Sequence, residues 1–109
     1  MIIDFGKIEE TRLPQFKGGD GELIARMHTD ANGKIMYGRL QPGSSVGFHK
    51  HVASSEVIFI LSGKAEFLYD GDREEVGAGG CHYCPRGHAH SMMNNGAEDL
   101  LFFAVVPEQ

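Results

Sequence analysis

The sequence predicts an all-β domain, either a sandwich or a barrel of short strands. Turn-forming pairs recur at short intervals, and the segments between them are rich in Val, Ile, Phe, Tyr and Leu without the apolar spacing of a helix. Closely spaced turns between short β-forming runs are typical of sandwiches and barrels. The turn signals are Asn32-Gly33, Pro42-Gly43, Ser62-Gly63, Asp70-Gly71, Gly79-Gly80, Pro85-Arg86-Gly87 and Asn95-Gly96.

The chain divides into an N-terminal segment, residues 1–22, and a barrel domain, residues 23–109. The first segment ends in the glycine-rich stretch KGGDGE and has no clear strand pattern. We expect it to be irregular or to form an edge strand, and it is a candidate dimer contact. The clearest element of the barrel is the hairpin AEFLYDGDREEV, because Asp70-Gly71 supplies the positive φ angles of a type I′ turn.

Two predicted strands are apolar on both faces. In EVIFILSG and in DLLFFAVVP, apolar residues occupy odd and even positions alike. A strand of a small barrel that is apolar inside and outside needs a second surface to cover its outer face. We expect this surface to be a second copy of the chain, since closed two-fold dimers are the commonest assemblies. The alternative is that the N-terminal segment of the same chain covers it.

Length, charge and hydropathy exclude several classes of protein. With 109 residues, 41% of them hydrophobic and 23% charged, the chain has the composition of one ordinary globular domain. Its net charge is -5 and it has no run of Lys or Arg, so neither nucleic acid nor an anionic membrane is an expected partner. No window approaches the ~18 apolar residues of a membrane-spanning helix. The N-terminus, MIIDFGKIEE, lacks the basic region of a signal peptide, and we expect a cytoplasmic protein.

The two cysteines, Cys81 and Cys84, form a C-x-x-C pair in GCHYCPRG. Such a pair is half of a zinc site or a redox motif in other proteins. Here no second pair exists, no helix is predicted to follow, and a strand would direct the two side chains to opposite faces. We therefore expect two reduced thiols that pack as small apolar side chains.

Three histidines and one glutamate form the candidate functional site. His49 and His51 are two residues apart, so in a strand they share a face. Glu56 reaches the same interior if the intervening segment, VASS, forms a loop or bulge, and His90 follows a Pro/Gly turn. Buried imidazoles are unfavourable unless their nitrogens have partners. Three imidazoles and a carboxylate in an apolar barrel suit a divalent transition metal.

These residues stand in two motifs that resemble those of the cupin superfamily. The segment Gly43–Gly63 matches G(X)5HXH(X)3-4E(X)6G, and the segment Gly79–Asn94 matches G(X)5PXG(X)2H(X)3N. The resemblance, which extends over about half of the chain, implies a small single-domain cupin with a jelly-roll β-barrel, also called a double-stranded β-helix. It also implies a dimer and a metal bound by the residues His49, His51, Glu56 and His90.

A site of this kind supports two classes of function. This ligand set accepts iron, manganese, nickel, cobalt, copper and zinc. We favour iron or manganese as the metal and keep the other four as alternatives. Four protein ligands leave two adjacent positions on an octahedral ion. The first hypothesis is therefore a metal-dependent enzyme for a small oxygenated metabolite, either a dioxygenase or an isomerase or lyase that uses Lewis-acid chemistry. The alternative is a cupin that binds or senses a sugar-like small molecule without transforming it.

Other side chains are candidates for the pocket around the metal. His88 is the candidate for proton transfer, although a histidine after a Pro/Gly turn is more often solvent-exposed. Arg39 could bind a carboxylate but is expected on the outer face, and Asn94 is expected to make a turn hydrogen bond. The remaining candidates for the pocket lining are Met92, Phe48, Tyr37 and His82.

Overall fold

The predicted all-β fold is confirmed. The computed structural model describes residues 1–109, which form ten strands and two short 3₁₀ turns, Phe5–Lys7 and Phe16–Gly18. The strands are β1 (Thr11–Pro14), β2 (Glu22–Asp30), β3 (Gly33–Leu40), β4 (Ser45–Lys50), β5 (Glu56–Ser62), β6 (Lys64–Tyr69), β7 (Asp72–Gly77), β8 (Cys81–Cys84), β9 (Ala89–Met93) and β10 (Leu100–Pro107).

The strands form two antiparallel sheets. The larger sheet has the order β1-β2-β3-β10-β5-β8, and the smaller one has the order β4-β9-β6-β7. From β4 onward the chain passes repeatedly between the sheets, with only the β6–β7 hairpin remaining in one sheet, which is the arrangement of a jelly roll. The core between the sheets is apolar and includes the fully buried Ile60, Phe67 and Phe102.

The predicted turns connect the strands as expected. All seven signals fall between consecutive strands from β2 to β10, and only the β4–β5 connection lacks one. In the β6–β7 hairpin, Asp70 and Gly71 have φ angles of 49° and 80°, as a type I′ turn requires. Asp70 tolerates this conformation because short polar side chains are the usual non-glycine residues there.

The N-terminal segment is ordered along the edge of the larger sheet. Strand β1 pairs with β2, so Thr11 lies opposite Ala25. Before it, the Arg26 guanidinium donates hydrogen bonds to the carbonyl oxygens of Phe5 and Ile8. After it, residues 15–19 cross over β4. The segment therefore contacts both sheets of its own chain.

The outer face of the larger sheet is partly covered. Phe5 packs against Tyr37 and Phe103, with ring centroids 6.2 and 6.1 Å apart. The outward side chains of β5 remain exposed, and so does Tyr83 on β8. The N-terminal segment thus covers the β3–β10 side of this face and leaves an uncovered apolar patch, formed by Val57, Phe59, Leu61 and Tyr83.

Both cysteines are free and their side chains lie on opposite faces of β8, as the strand pattern predicts. Cys81 is exposed and Cys84 is fully buried. Burial raises the pKa of the Cys84 thiol to about 11, so this thiol stays protonated and packs as an apolar group.

Membrane-spanning helices are not found. None of the helical segments has the length and the apolar character needed to cross a bilayer.

Candidate metal centre

The structure brings all four predicted ligands together. The ligand atoms of His49, His51, Glu56 and His90 all lie within 4.8 Å of one another. His51 Nε2 is 3.2 Å from His49 Nε2 and 3.0 Å from His90 Nε2. Glu56 Oε1 is 3.2 Å from His51 Nε2 and 3.0 Å from His90 Nε2. His51, Glu56 and His90 are buried, whereas His49 is half-buried.

Both sheets contribute ligands. His49 on β4 lies directly opposite His90 on β9 in the smaller sheet, and His51 follows the end of β4. Glu56 is the first residue of β5 in the larger sheet. The VASS segment forms the loop that was expected between them, after which Glu56 shares the buried face of β5 with Ile58.

The turn before β9 fixes two of the ligands. His51 donates its backbone N–H to the carbonyl of His88, and Gly87 donates its own to the carbonyl of His51. The turn itself is closed by a hydrogen bond from the His88 N–H to the carbonyl of Pro85. The Pro85–Gly87 turn therefore holds His51 in place and sets the start of the strand that carries His90.

Each imidazole is oriented by a hydrogen bond on its outer nitrogen. His49 Nδ1 lies 2.8 Å from the carbonyl oxygen of Gly47, and His51 Nδ1 lies 2.9 Å from Ser54 Oγ. His90 Nδ1 lies 3.0 Å from His82 Nε2. All three Nε2 atoms consequently point into the space beside Glu56.

The donor set fits a divalent cation. A carbonyl oxygen only accepts hydrogen bonds, so His49 carries its proton on Nδ1 and presents the Nε2 lone pair to the cluster. Burial lowers the pKa of His49, which favours this neutral form. Burial by itself raises the pKa of Glu56, but the adjacent imidazoles of His51 and His90 outweigh it and lower that pKa to about 2. An anion and several lone pairs in a buried space need a positive charge among them, which a divalent metal supplies to all four groups.

Two spaces lie beside the cluster. The inner one is a narrow, mostly apolar cavity of about 30 Å³ between the sheets, and it reaches His49, Glu56 and His90. The outer one is a pocket of about 210 Å³ that reaches His49, His51 and Glu56. Phe16 and Met36 line both spaces. The cluster is thus buried on the core side and accessible through the outer pocket.

Three lysines line the outer pocket. Lys17, Lys34 and Lys50 contribute to its wall, and none of them has a carboxylate partner within 4.0 Å. Apart from Glu56, the acidic residue in this wall is Glu108. The pocket therefore has an excess of positive charge although the whole chain is acidic.

Part of this pocket comes from the N-terminal segment, which the sequence did not predict. Residues 15–19 pass so close to β4 that a Cβ on Gly47 would clash with the Lys17 carbonyl, and one on Gly19 would clash with the Ser45 carbonyl. Gln15 and Lys17 both have left-handed φ angles, 49° and 55°. Strained backbone of this kind is concentrated at functional sites. The close glycine contact places Phe16 and Lys17 over the cluster.

Comparison with known proteins decides the family. The family model for the cupin domain matches residues 36–106, which is more than half of the chain. The chain is a cupin. The predicted jelly-roll fold, the double-stranded β-helix of this family, is confirmed by the solved structures that it resembles.

Two matches come from Thermotoga maritima. The "Oxalate-binding protein" of that organism is 34% identical over 97% of this chain and 93% of its own length. A crystal structure from the same organism, named as a predicted oxalate decarboxylase, has a TM-score of 0.92 with 30% identity over the whole of both chains. The cupin domain of Schizosaccharomyces pombe Cnp3 shares the fold, with a TM-score of 0.81 and 14% identity, over 100% of this chain and 74% of its own.

The structure distinguishes among the other candidates for the pocket of this cupin. Met92 lines the inner cavity as expected. Phe48 does not line the pocket: it lies within the bulge between Val46 and His49, is 63% exposed and points away from the cluster. Tyr37 lies on the outer face beneath Phe5, so it is not a pocket residue either.

The remaining polar candidates lie outside the two spaces. His88 is half exposed, with Nδ1 3.0 Å from Asp70 Oδ1, and it lines neither space. Arg39 is on the outer face, where it pairs with Glu10 at 3.1 Å. His82 is buried behind His90 rather than in the pocket.

Proposed function

We propose that this cupin binds one divalent transition metal through His49, His51, Glu56 and His90. The convergence of three Nε2 atoms and one carboxylate oxygen supports the proposal. Iron or manganese is the favoured ion, since mixed nitrogen and oxygen ligands suit both, while nickel, cobalt, copper and zinc remain alternatives. The ion, when bound, supplies Lewis acidity and open coordination positions on the side of the outer pocket.

We infer that the ligand held at this metal is a small dianion with paired carboxylate oxygens, of which oxalate is the simplest. The observation that carries this inference is the lysine-lined pocket next to the cluster. Three unpaired ammonium groups attract an anion, and a carboxylate pair can occupy two adjacent positions on the metal. The name of the relative that is 34% identical, an oxalate-binding protein, agrees with this chemistry.

The size of the pocket supports a ligand of few atoms. Its volume of about 210 Å³ is below the roughly 300–1,000 Å³ of sites for drug-sized ligands. The inner cavity adds only about 30 Å³ and is apolar. A compact dicarboxylate therefore fits better than the sugar-like molecule that the sequence left open.

Oxalate binding is expected to depend on both the metal and the lysines. Calorimetric titration of the manganese-loaded protein should show oxalate binding, and oxamide, the neutral analogue, should bind far more weakly. The triple variant Lys17→Gln/Lys34→Gln/Lys50→Gln should lose about tenfold in oxalate affinity, because each solvent-exposed charge contributes only a fraction of a kcal/mol to about 1 kcal/mol.

The matched control is Lys64→Gln, which removes a lysine that pairs with Glu75 and does not line the pocket. Its affinity for oxalate should equal that of the wild type. Equal binding of oxalate and oxamide, or undiminished affinity in the triple variant, would contradict a dianion site.

Metal-dependent catalysis is the second candidate function, and the open side of the cluster favours it. Four protein ligands would leave an octahedral ion with two free positions, which is room for a substrate and a second reactant, and the outer pocket adjoins the cluster. A dioxygenase and a decarboxylating lyase both need such free positions on the metal. No acid or base beyond the four ligands, the three lysines and Glu108 lines the outer pocket, so we place binding first.

Turnover separates the two functions. Carbon-13 NMR of labelled oxalate with the iron- or manganese-loaded protein in air would show formate and carbon dioxide if the protein is a decarboxylase. Oxidation to carbon dioxide alone would indicate an oxidase. A spectrum that contains only oxalate, from protein that binds it, would support the binding function.

We propose that the uncovered patch of Val57, Phe59, Leu61 and Tyr83 contacts a second copy of the chain. Phe5 covers the neighbouring side of the same face within one chain, so the apolar surface is continuous with one that is already buried. Contiguous exposed apolar side chains often mark a protein–protein contact. The cytoplasmic location expected from the sequence stays a prediction.

Light scattering after size exclusion should give twice the chain mass of 11.9 kDa for the wild type. Phe59→Glu should give the monomer mass, because it places a charge in the apolar contact. Phe48→Glu changes a phenylalanine on another strand that is 63% exposed, against 39% for Phe59, and this variant should remain dimeric. A monomeric wild type would contradict the dimer.

A further inference from the structure

His82 occupies an unusual position behind the cluster. It is 2% exposed, lies on β8 of the larger sheet, and stacks on Phe67 with ring centroids 3.9 Å apart and an angle of 14° between the planes. Its Nε2 is 3.0 Å from His90 Nδ1, and its Nδ1 is 2.8 Å from Glu74 Oε1. Both nitrogens of a buried imidazole are therefore engaged, one of them with a candidate ligand.

The Glu74 carboxylate near the surface sets the direction of these hydrogen bonds. Glu74, half-exposed on β7, offers a carboxylate that only accepts, so the proton of neutral His82 lies on Nδ1. The Nε2 of His82 then has a free lone pair and accepts the proton of His90 Nδ1. His90 is left with a bare Nε2, and this is the atom that points at Glu56 and His51.

The reverse arrangement is unfavourable at the Glu74 end. If His82 carried its proton on Nε2, its bare Nδ1 would face the carboxylate of Glu74 across 2.8 Å. His90 would then accept that proton on Nδ1 and carry its own on Nε2, where it would donate to Glu56 and block the ligand position. Glu74 therefore selects, through His82, the form of His90 that can bind a metal.

We propose that Glu74 and His82, the supporting pair, fix the tautomer and the ring orientation of His90 and thereby strengthen metal binding at the cluster. This inference rests on the proposed metal site. Carboxylate–histidine–metal arrangements are common, and loss of such partners typically lowers metal affinity by 10- to 100-fold. Here the carboxylate acts through an intervening imidazole, and the three residues come from β7, β8 and β9. The supporting pair is a positioning device and does not touch the ligand.

Two variants separate the roles of the pair. His82→Phe keeps an aromatic ring against Phe67 but removes the acceptor for His90, and its cobalt affinity should fall by about 10- to 100-fold. Glu74→Gln keeps an acceptor oxygen but also offers an amide donor, so both tautomers of His82 become accessible and the loss should be smaller. The matched control is Glu75→Gln, whose carboxylate pairs with Lys64 instead; its affinity should equal that of the wild type.

Cobalt titration against a competing chelator measures the affinity, and the visible spectrum of the cobalt protein reports the ligand geometry. The tautomers are read by nitrogen-15 NMR of the imidazoles at pH 8 in the metal-free and zinc-loaded wild type. The expected results are Nδ1–H on His82 in wild type, a mixture of tautomers in Glu74→Gln, and an altered cobalt spectrum in His82→Phe. If His82→Phe does not fold, Glu74→Gln and the wild-type tautomer provide the test.

The outcomes distinguish this inference from the proposed function. Wild-type cobalt affinity and spectrum in both variants, or Nε2–H on His82 in the wild type, would contradict the supporting pair while leaving the metal site intact. A wild type that binds no cobalt would contradict the metal site itself, and the supporting role with it.

Discussion

The variant His51→Ala/His90→Ala should lose metal affinity by more than about a thousandfold. Loss of a residue that only orients a ligand typically lowers affinity by 10- to 100-fold, and this variant removes two ligands outright. His49 and Glu56 remain, and two donors from different sheets do not enclose an ion. Manganese or cobalt titration and metal analysis after dialysis measure the loss. The variant should still fold, because the apolar core between the sheets is unchanged.

The control for this experiment is His28→Ala. His28 lies on β2, where it pairs with Asp30 at the surface, outside the cluster. It should retain one ion per chain with unchanged affinity. Metal retained by the double variant, or lost by the control, would show that the ion binds elsewhere.

Asn94→Ala should destabilise the metal-free protein by about 3 kcal/mol. Asn94 is 1% exposed, and its Nδ2 donates to the carbonyl oxygens of Leu40 and Glu98 at 2.8 Å each. Its Oδ1 accepts the backbone N–H of Gly96 at 3.0 Å. Alanine leaves these three groups without the Asn94 partner, and the Leu40 carbonyl belongs to a fully buried residue. Each such group costs about 1–3 kcal/mol if it stays dry. Denaturant unfolding in the presence of chelator measures the change.

Asn95→Ala is the matched control, since Asn95 is the exposed neighbour whose side chain bonds only to Glu66. Its free energy of unfolding should change by less than about 0.5 kcal/mol, as is usual for surface positions. Similar losses in the two variants would contradict the role of Asn94 as a link between the β3–β4 and β9–β10 connections. That role is the turn hydrogen bond expected from the sequence.

The succession of strands and turns along the chain was predictable, because local chemistry fixes the turns. Gly43, Gly63, Gly79 and Gly87 all have φ angles between 82° and 90° in connections between strands, where other residues would be strained. Such requirements are visible in the sequence. The pairing of strands is not, because it depends on contacts between distant segments.

The ligand cluster could be predicted from spacing and from the family resemblance. His49 and His51 share a face by strand alternation, and the loop after them restores Glu56 to the interior. The inference that Phe48 lines the pocket was wrong. Phe48 adjoins His49 and faces outward, and the extra residue between Val46 and His49 lets both of those face inward.

The surroundings of the cluster could not be predicted. Lys17 reaches the pocket only because Gly19 and Gly47 let two backbones touch, and glycines far apart in sequence carry no sign of their contact. His82 was expected among pocket residues, but its role depends on Glu74, whose position follows from the packing of the two sheets. Long-range packing decides both features.

The measurement that tests the metal site most directly is anomalous X-ray diffraction at the absorption edge of the metal found in crystals of the wild-type protein. The structure predicts one strong peak per chain among the Nε2 atoms of His49, His51 and His90 and Oε1 of Glu56. A peak elsewhere, for example at the cysteines of β8, or no peak in crystals soaked with manganese, would contradict the metal centre.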